Sequence, residues 1–490
     1  MSDLAEKVQR IKPAEKFRFG EWLPDQADLD NPGVTEANNV LWSGGSYIPY
    51  NLFIPTGFKV PGGTALSALR GQTSSSILYV ASTDGVSNFI SGAAGNSFNL
   101  VNLTGAPLAA ASIPSFAQYG TTIFYADGVN PPQYNGLSLA NTFAKLTGPQ
   151  GDPPIGLAIG VIGQFLILGG LPGASTTLQW SSINQPFNWP TPGSANAIAS
   201  QAGSQFLDYT LGPIIGIAQG DQWGLIIHVN GLERVQYVGG DTVFQFDNIY
   251  RGPSALSPQS WAKVGGRIYT CSGDGFIMTD GVSVKRIGDA RVDRWFQTNW
   301  NAGNPQIFAG VDPQRKIIYW SFPLIGTGNI PNAWIAYNYI EDKWTHGTDG
   351  IACFVRAADN WEYVPGYGME AFSSAAAPQG GGYGGTLSGT PGVSVLRTAE
   401  IELNPGGRAL FQGFRPQIAG LPGGAVTVRI GSRARLGDQI TYTPILQLNG
   451  QTNFADALVD ANYHRAEITL NGNFNQAIGG EFKAEPSGYW

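Results

Sequence analysis

A short β-branched or aromatic run followed by a Gly-containing turn returns again and again along this chain. It occurs as Ile77-Leu78-Tyr79-Val80 before Asp84-Gly85, as Ile123-Phe124-Tyr125 before Asp127-Gly128, and as Phe165-Leu166-Ile167-Leu168 before Gly169-Gly170. It returns as Leu225-Ile226-Ile227-His228-Val229 around Asn230-Gly231, as Ile268-Tyr269-Thr270-Cys271 before Gly273-Asp274-Gly275, and as Ile317-Ile318-Tyr319-Trp320. Asn-Gly and Asp-Gly adopt the positive φ of tight hairpin turns, and the flanking residues suit a pleated, half-buried surface. One hairpin buries too little apolar area to stand alone, so several must stack. A four-stranded propeller blade takes roughly 40 to 50 residues, and most of the returns fall in or near that interval. The expected class is therefore all-β, a β-propeller. A large β-sandwich with irregular strands is the alternative, since short strands between turns serve both folds. The widest gap, between Gly170 and Asn230, holds Trp180, Trp189-Pro190, Pro192-Gly193 and the small-residue run from Ala195 to Gly203, and reads as a long inserted loop.

In a chain of 490 residues, 67 Gly and 32 Pro against 13% charged residues imply many turns and few solvated helices. Asp3 to Lys16 is the one good helix candidate; with four basic residues and sparse apolar positions it also reads as a frayed arm. A net charge of −7 argues against broad electrostatic capture of nucleic acid. Cys271 and Cys353 lie in apolar strand-like runs and are expected to be reduced, buried small hydrophobes. The start, Met1 to Glu6, lacks a signal-peptide pattern, and no uncharged apolar run approaches the ~20 residues of a membrane span. The expectation is a chain folded in a cytoplasm, where the acceptor-like Asn102-Leu103-Thr104 has no meaning.

Four regions are expected. Residues 1–60 form an N-terminal arm and opening strands, extended because Asn31-Pro32-Gly33 breaks any helix. Residues 61–371 hold the propeller, and 372–392, with Ser373 to Pro378 and Gly380 to Gly385, read as a Gly/Ala-rich flexible loop or linker. Residues 393–490 switch to longer alternating strands, among them Ala399 to Leu403, Ala425 to Ile430 and Tyr463 to Leu470. Such alternation marks sheets with one wet face, an appended antiparallel β-sandwich-like C-terminal domain.

Chemistry is sparse. His228, His346 and His464 are scattered, without the Cys/His/Asp spacing of a zinc site, and no Gly-x-Ser-x-Gly elbow exists to anchor a triad. Gly380 to Gly385 matches Gly-x-Gly-x-x-Gly only as low-complexity sequence, with neither a strand before it nor a helix after it. Carboxylate pairs for a glycosidase would be Asp289 with Asp293, or Glu341 with Asp342. The first reads better as a charged turn packed on Trp295 and the second as a hairpin tip, while Ser272-Gly273-Asp274-Gly275 only approaches the sialidase turn. No catalytic, cofactor-binding or metal residue is assigned, and no cofactor is expected. Arg408, Arg415, Arg429, Arg433 and Arg435 stand without an acid between the first and the last. They read as a possible subunit contact, or as a solvated strand face, and less readily as a phosphate contact because aromatic interleaving is missing.

The order Gly20, Trp22-Leu23-Pro24-Asp25, Leu29, Asn31-Pro32-Gly33, Ala37, Asn39-Val40 and Tyr47 resembles the start of tail nozzle (tail tubular protein B-like) proteins of short-tailed bacteriophages. Trp334-Ile335-Ala336-Tyr337-Asn338 followed by Lys343-Trp344, and the strand Tyr463-His464-Arg465, are similar to that group. The resemblance implies a propeller-containing virion structural protein rather than an enzyme. It implies a homohexameric ring at the tail tip, seated on a tail adaptor and contacting a fibre or spike, that closes the channel and then conducts double-stranded DNA without sequence-specific binding. An acidic lining would repel phosphate and let DNA slide, and identical head-to-tail contacts close into a ring. Thr191 to Gly203 or Ser373 to Gly392 would supply the gate. The competing reading is a propeller that binds or hydrolyses a host surface glycan.

Overall fold

The computed structural model describes residues 15–72, 76–82, 85–90, 97–101, 113–136, 143–220, 222–303, 306–357, 369–421 and 425–489. Its strands form seven four-stranded antiparallel blades. Four are separate sheets, two are joined in an eight-stranded sheet, and one begins a ten-stranded sheet. Blade 1 comprises Ala65–Gln72, Ser76–Ser82, Gly85–Ile90 and Ser97–Val101; blade 2 comprises Ser115–Tyr119, Thr122–Ala126, Gln133–Asn135 and Ala144–Lys145. Blade 3 comprises Ala158–Ile162, Phe165–Leu171, Ala174–Trp180 and Gly203–Phe206; blade 4 comprises Ile214–Ala218, Trp223–His228, Gly231–Gly239 and Val243–Arg251. Blade 5 comprises Trp261–Val264, Arg267–Ser272, Gly275–Thr279 and Val284–Arg286; blade 6 comprises Phe308–Asp312, Ile317–Phe322, Ala333–Asn338 and Lys343–Thr348.

Blade 7 closes the ring with chain from both ends. Ile351–Ala357, Glu370–Ser373 and Tyr383–Thr386 supply three strands, and the N-terminal strand Ile54–Lys59 is the outermost. The inner strand of blade 7 runs parallel to that of blade 1, pairing Val355 with Ala68 and Arg356 with Leu69. The segment 372–392 is therefore not a free linker: Phe372 pairs with Gly384, Tyr383 pairs with Lys59, and Val60 N–H donates to Gly382 O at 2.8 Å. Its glycines let two backbones pass where side chains would collide; a Cβ on Gly382 would lie 2.7 Å from Gly63 O.

The recurring runs are the second strands of blades 1 to 6, and their unbroken apolar character has a plain cause. Each is buried on both faces, and alternate residues enter the cores on either side. In blade 2, Ile123 and Tyr125 join blade 1 residues Tyr79 and Val86. Phe124 and Ala126 instead join Leu166 and Leu168 of blade 3. In blade 4, Ile226 packs with Ile167 of blade 3, while Leu225 and Ile227 pack with Ile268 of blade 5. Blade 6 divides in the same way, Ile318 and Trp320 facing blade 5, Ile317 and Tyr319 facing blade 7. At Gly169-Gly170 the expected turn is instead a bulge inside Phe165–Leu171. Gly170 has φ 68°, and a Cβ there would lie 2.6 Å from Ile214 O of blade 4.

The sandwich is built from both termini. One sheet contains Glu15–Arg18, Val40–Ser43, Ser46–Pro49, Gly407–Ala419, Ala455–Ala461 and Gln476–Tyr489. The other contains Val34–Asn38, Val393–Thr398, Tyr463–Asn471 and Val426–Arg433, with the short strands Thr441–Tyr442 and Leu446–Gln447 at its end. This second sheet continues blade 6, because Asn38 bridges His346 in parallel. Residues 15–60 are thus strands of two folded units and not a separate arm. The expected helix Asp3 to Lys16 lies outside the described residues except Glu15 and Lys16, which are in a strand. Ala399 to Leu403, expected as a strand, pairs only through isolated bridges, Leu29 with Glu400 and Ile401 with His464.

Candidate functional site

The motif at the N-terminal end is a clasp between sandwich and propeller. Asn31 Nδ2 donates to Leu23 O at 2.9 Å, and Asn31 Oδ1 accepts from Gly33 N–H at 2.8 Å. A Cβ on Gly20 or Gly33 would overlap the carbonyl oxygens of Pro32 and Glu21 respectively, so these strands approach only through glycine. Helix α1 (Ala195–Ala199) sits in blade 3, and helix α2 (Asp293–Asn299) follows blade 5. The first residue before α2, Val292, offers no side-chain cap. Asp25 fills that role from far away in sequence, accepting from Arg294 N–H and Trp295 N–H at 2.7 Å each. Trp22 is fully buried, with ring centroids 4.3 Å from His346 and 4.8 Å from Trp295.

The carboxylate pairs do not face a common cleft. Asp289 is exposed, whereas Asp293 is buried beneath Gly275 and Gly288 and accepts from Phe276 N–H at 3.0 Å. Burial pushes the Asp293 carboxyl up to about 6. Glu341 accepts from Trp42 Nε1 at 2.8 Å and from Gly44 and Gly45 N–H, which pins the Val40–Pro49 hairpin to blade 6. Asp342 instead accepts from Arg291 Nη1 at 2.7 Å and Tyr337 Oη at 2.8 Å. Arg291 also pairs with Glu21. The histidines are likewise apart: His228 lies 3.1 Å from Glu233 in blade 4, His346 is in blade 6, and burial lowers the pKa of His464 in the sandwich. Among the described residues no group of three or more His, Cys, Asp or Glu is placed to hold a metal. Cys271 and Cys353 are both buried and unpaired.

The five arginines do not form one patch. Arg408 and Arg415 lie on Gly407–Ala419 in one sandwich sheet; Arg429 and Arg433 lie on Val426–Arg433 in the other, with Arg435 just beyond. Each of the first four has an acid across its own sheet or beside it: Arg408 with Asp460 at 2.9 Å, Arg415 with Glu481, Arg429 with Glu467 at 3.4 Å, and Arg433 with Glu400. Arg415 and Arg429 also lie over the rings of Phe454 and Tyr442. Glu400 is fully buried, so the Arg433 pair is internal, while the Arg408 pair is partly open to solvent.

The suggested gate segments are ordered too. In Thr191 to Gly203, α1 is capped by Ser194 Oγ, which accepts from Ala197 N–H at 3.2 Å, and Ser373 to Gly392 carries the third strand of blade 7, Tyr383–Thr386. A concave feature among the described residues is the propeller's axial channel, with a volume of about 330 Å³. Its wall takes residues from the inner strands of all seven blades: Ala68, Phe116, Ile159, Ile217, Trp261, Val311 and Arg356 among them. The sequence pattern did not single out this wall, because it is assembled from seven separate inner strands and each contributes at most three residues.

No family model matches the chain, and no curated protein matches it. Among solved structures the chain is similar to YCF48 bound to D1 peptide, at 9% identity over 70% of this chain and 96% of that one, with a TM-score of 0.37. It is similar to the Pan2 WD40 domain of Neurospora crassa, at 8% identity over 69% and 97%, with a TM-score of 0.41. Kluyveromyces lactis Hsv2 is similar at 10% identity over 58% and 98%, with a TM-score of 0.33. The strand pairing itself defines the class of this chain: an all-β, seven-bladed propeller carrying a sandwich made from both termini. Among the described residues no helix is long and apolar enough to cross a membrane.

Proposed function

We propose that this chain is a virion structural protein, a subunit of a tail nozzle ring that closes and then conducts DNA through the tail of a short-tailed bacteriophage. The observation that carries the reading is the use to which its distinctive residues are put. Trp22, Asp25 and Asn31-Pro32-Gly33, on which the family resemblance rests, are engaged in joining sandwich to propeller. The carboxylates that a glycan hydrolase would need bind backbone N–H groups and arginines instead of facing a cleft, or stand alone at the surface. Such a chain offers shape and stiffness in place of reactive groups.

A ring also needs adhesive rims. Ile198 on α1, Phe206 at the end of the fourth strand of blade 3 and Tyr209 in the turn after it are more than half exposed, and Tyr237 and Val238 are exposed on the third strand of blade 4, where Tyr237 Oη donates to Gln201 Oε1 at 2.8 Å. Exposed apolar groups gathered in one region mark association surfaces, and a head-to-tail contact between unlike faces closes into a cyclic ring. The partners in this reading are further copies of the chain, the adaptor above, a fibre or spike, and DNA passing without sequence-specific contacts. Sedimentation of the purified chain with and without the adaptor tests it. Six copies per particle are expected, with Phe206→Ser and Tyr209→Ser breaking the ring into folded single chains. A chain that stays monomeric with its adaptor and releases reducing ends from host polysaccharide would contradict it.

A further inference from the structure

Among the described residues Arg356, a cation on the wall of the axial channel, has no acid paired with it. Arg356, on the inner strand of blade 7, projects into the axial channel, where its Nη2 donates to Trp261 O at 2.6 Å and Gln259 O at 3.3 Å. Its guanidinium lies 4.3 Å from the centre of the Trp261 ring. Among the described residues those contacts leave Nε–H and the Nη1 group without a protein acceptor, and neither is sealed from the channel space. Arg70, on the neighbouring inner strand, shows the usual solution: it is buried and pairs with Glu370, whereas Arg356 is half-buried and pairs with no acid among the described residues. Among the described residues no carboxylate lies within ion-pairing distance of Arg356, and the wall of the channel includes neither Asp nor Glu. Lys263 adds a second positive charge to that wall, with Nζ donating to Gln219 O at 2.6 Å.

From this arrangement we infer that the axial channel binds a small organic anion, with its carboxylate or phosphate on Arg356 and its apolar body against the surrounding wall. A half-buried cation without a counter-charge is poorly compensated, and a planar fork with N–H groups open to the channel matches an oxyanion in two directions at once. Burial pulls the guanidinium down to about 10, which leaves it charged at neutral pH and short of compensation. Leu69, Phe116, Ile159, Ile217, Ala309 and Val311 give the wall its apolar part, beside the polar Ser67, Ser115, Gln219 and Gln259. A few fixed polar groups in an apolar concavity are what orient a small ligand. This site is independent of the ring reading, since it lies within one propeller.

Calorimetric titration of the full chain with benzoate, with benzamide as its uncharged isostere and with inorganic phosphate, tests the inference. One benzoate per chain is expected, benzamide binding not detectably. Arg356→Gln should weaken benzoate at least ~tenfold, as loss of a charge-assisted pair does. Arg356→Lys keeps the charge but loses the fork, and should fall between the two. It also serves as the test variant should the glutamine form fail to fold. Absence of binding by both benzoate and phosphate, equal binding of benzamide, or unchanged affinity in the folded variants would overturn the site.

Discussion

Blades 3 and 4 bury an apolar core that belongs to them alone, whereas blades 5 and 6 share theirs with the sandwich. The first is a repeat solution: Ile162, Phe165, Ile167 and Trp180 meet Ile217, Ile226, Val235 and Phe244, each from a strand near its partner in sequence. The second is a long-range one. Phe276, Trp320 and Trp344 pack together with a core reaching Trp22, Val40, Leu396, Phe414 and Ile468, so residues from the two ends of the chain finish a core begun in its middle. Polar side chains follow the same division. Asp25, Glu21, Arg291 and Glu341 knit the long-range region, with donors and acceptors some 270 to 300 positions apart. Repetition builds the wheel, and single-use contacts attach the sandwich to it.

Removing residues 15–60 should have the largest effect. If the long-range region is as interdependent as its contacts imply, this deletion takes four sandwich strands and the closing strand of blade 7 together. Near-ultraviolet circular dichroism should then lose its fixed aromatic signal and thermal unfolding its cooperativity. A truncated chain that melts as sharply as the whole would make the two regions separable.

Within the sandwich, Arg433→Ala leaves Glu400 buried and uncompensated and is expected to destabilise by about 3–5 kcal/mol in urea unfolding. A loss below about 1 kcal/mol would mean that water reaches Glu400.

Asp293, the first residue of α2, gives the same region a pH signature. Its folded carboxyl titrates at about 6, above the ordinary 3.8. Proton uptake by the folded state therefore contributes stability that is complete below about pH 4 and is lost as pH rises through about 6. Asp293→Asn, which retains an acceptor for Phe276 N–H, should gain on the wild type across that window by on the order of 2 kcal/mol. A flat difference between pH 4 and 7 would place the ionised carboxylate at ease in its site.

Arg408→Ala should be the mildest change. Its pair with Asp460 is more than a third exposed on both sides, so a loss below about 1 kcal/mol is expected by the same urea measurement. The contrast between Arg408 and Arg433 separates surface from internal members of one sequence cluster.

The comparison also explains what could be read in advance. Runs such as Ile317–Phe322 were legible because a strand buried on both faces needs apolar residues at every position. Blade 7 escaped because its strands come from Ile54–Lys59 and from 351–386, so no local spacing records it. The Gly/Ala-rich stretch looked flexible by composition, yet its glycines serve close backbone pairing with the N-terminal strand. The arginines from Arg408 to Arg435 looked unpaired because their acids, from Glu400 to Glu481, lie outside that window and return through sheet pairing. Arg356 gave no signal, being a lone charge in Ile351–Ala357 whose surroundings are set by seven separate inner strands.

The proposed nozzle role is tested most directly by electron microscopy of the phage tail that it implies, labelled with an antibody fragment against this chain. A six-fold annulus on the tail axis, each segment a seven-bladed wheel with its sandwich, is the expected image. Label away from that axis, or a chain seen only as single copies, would contradict the account.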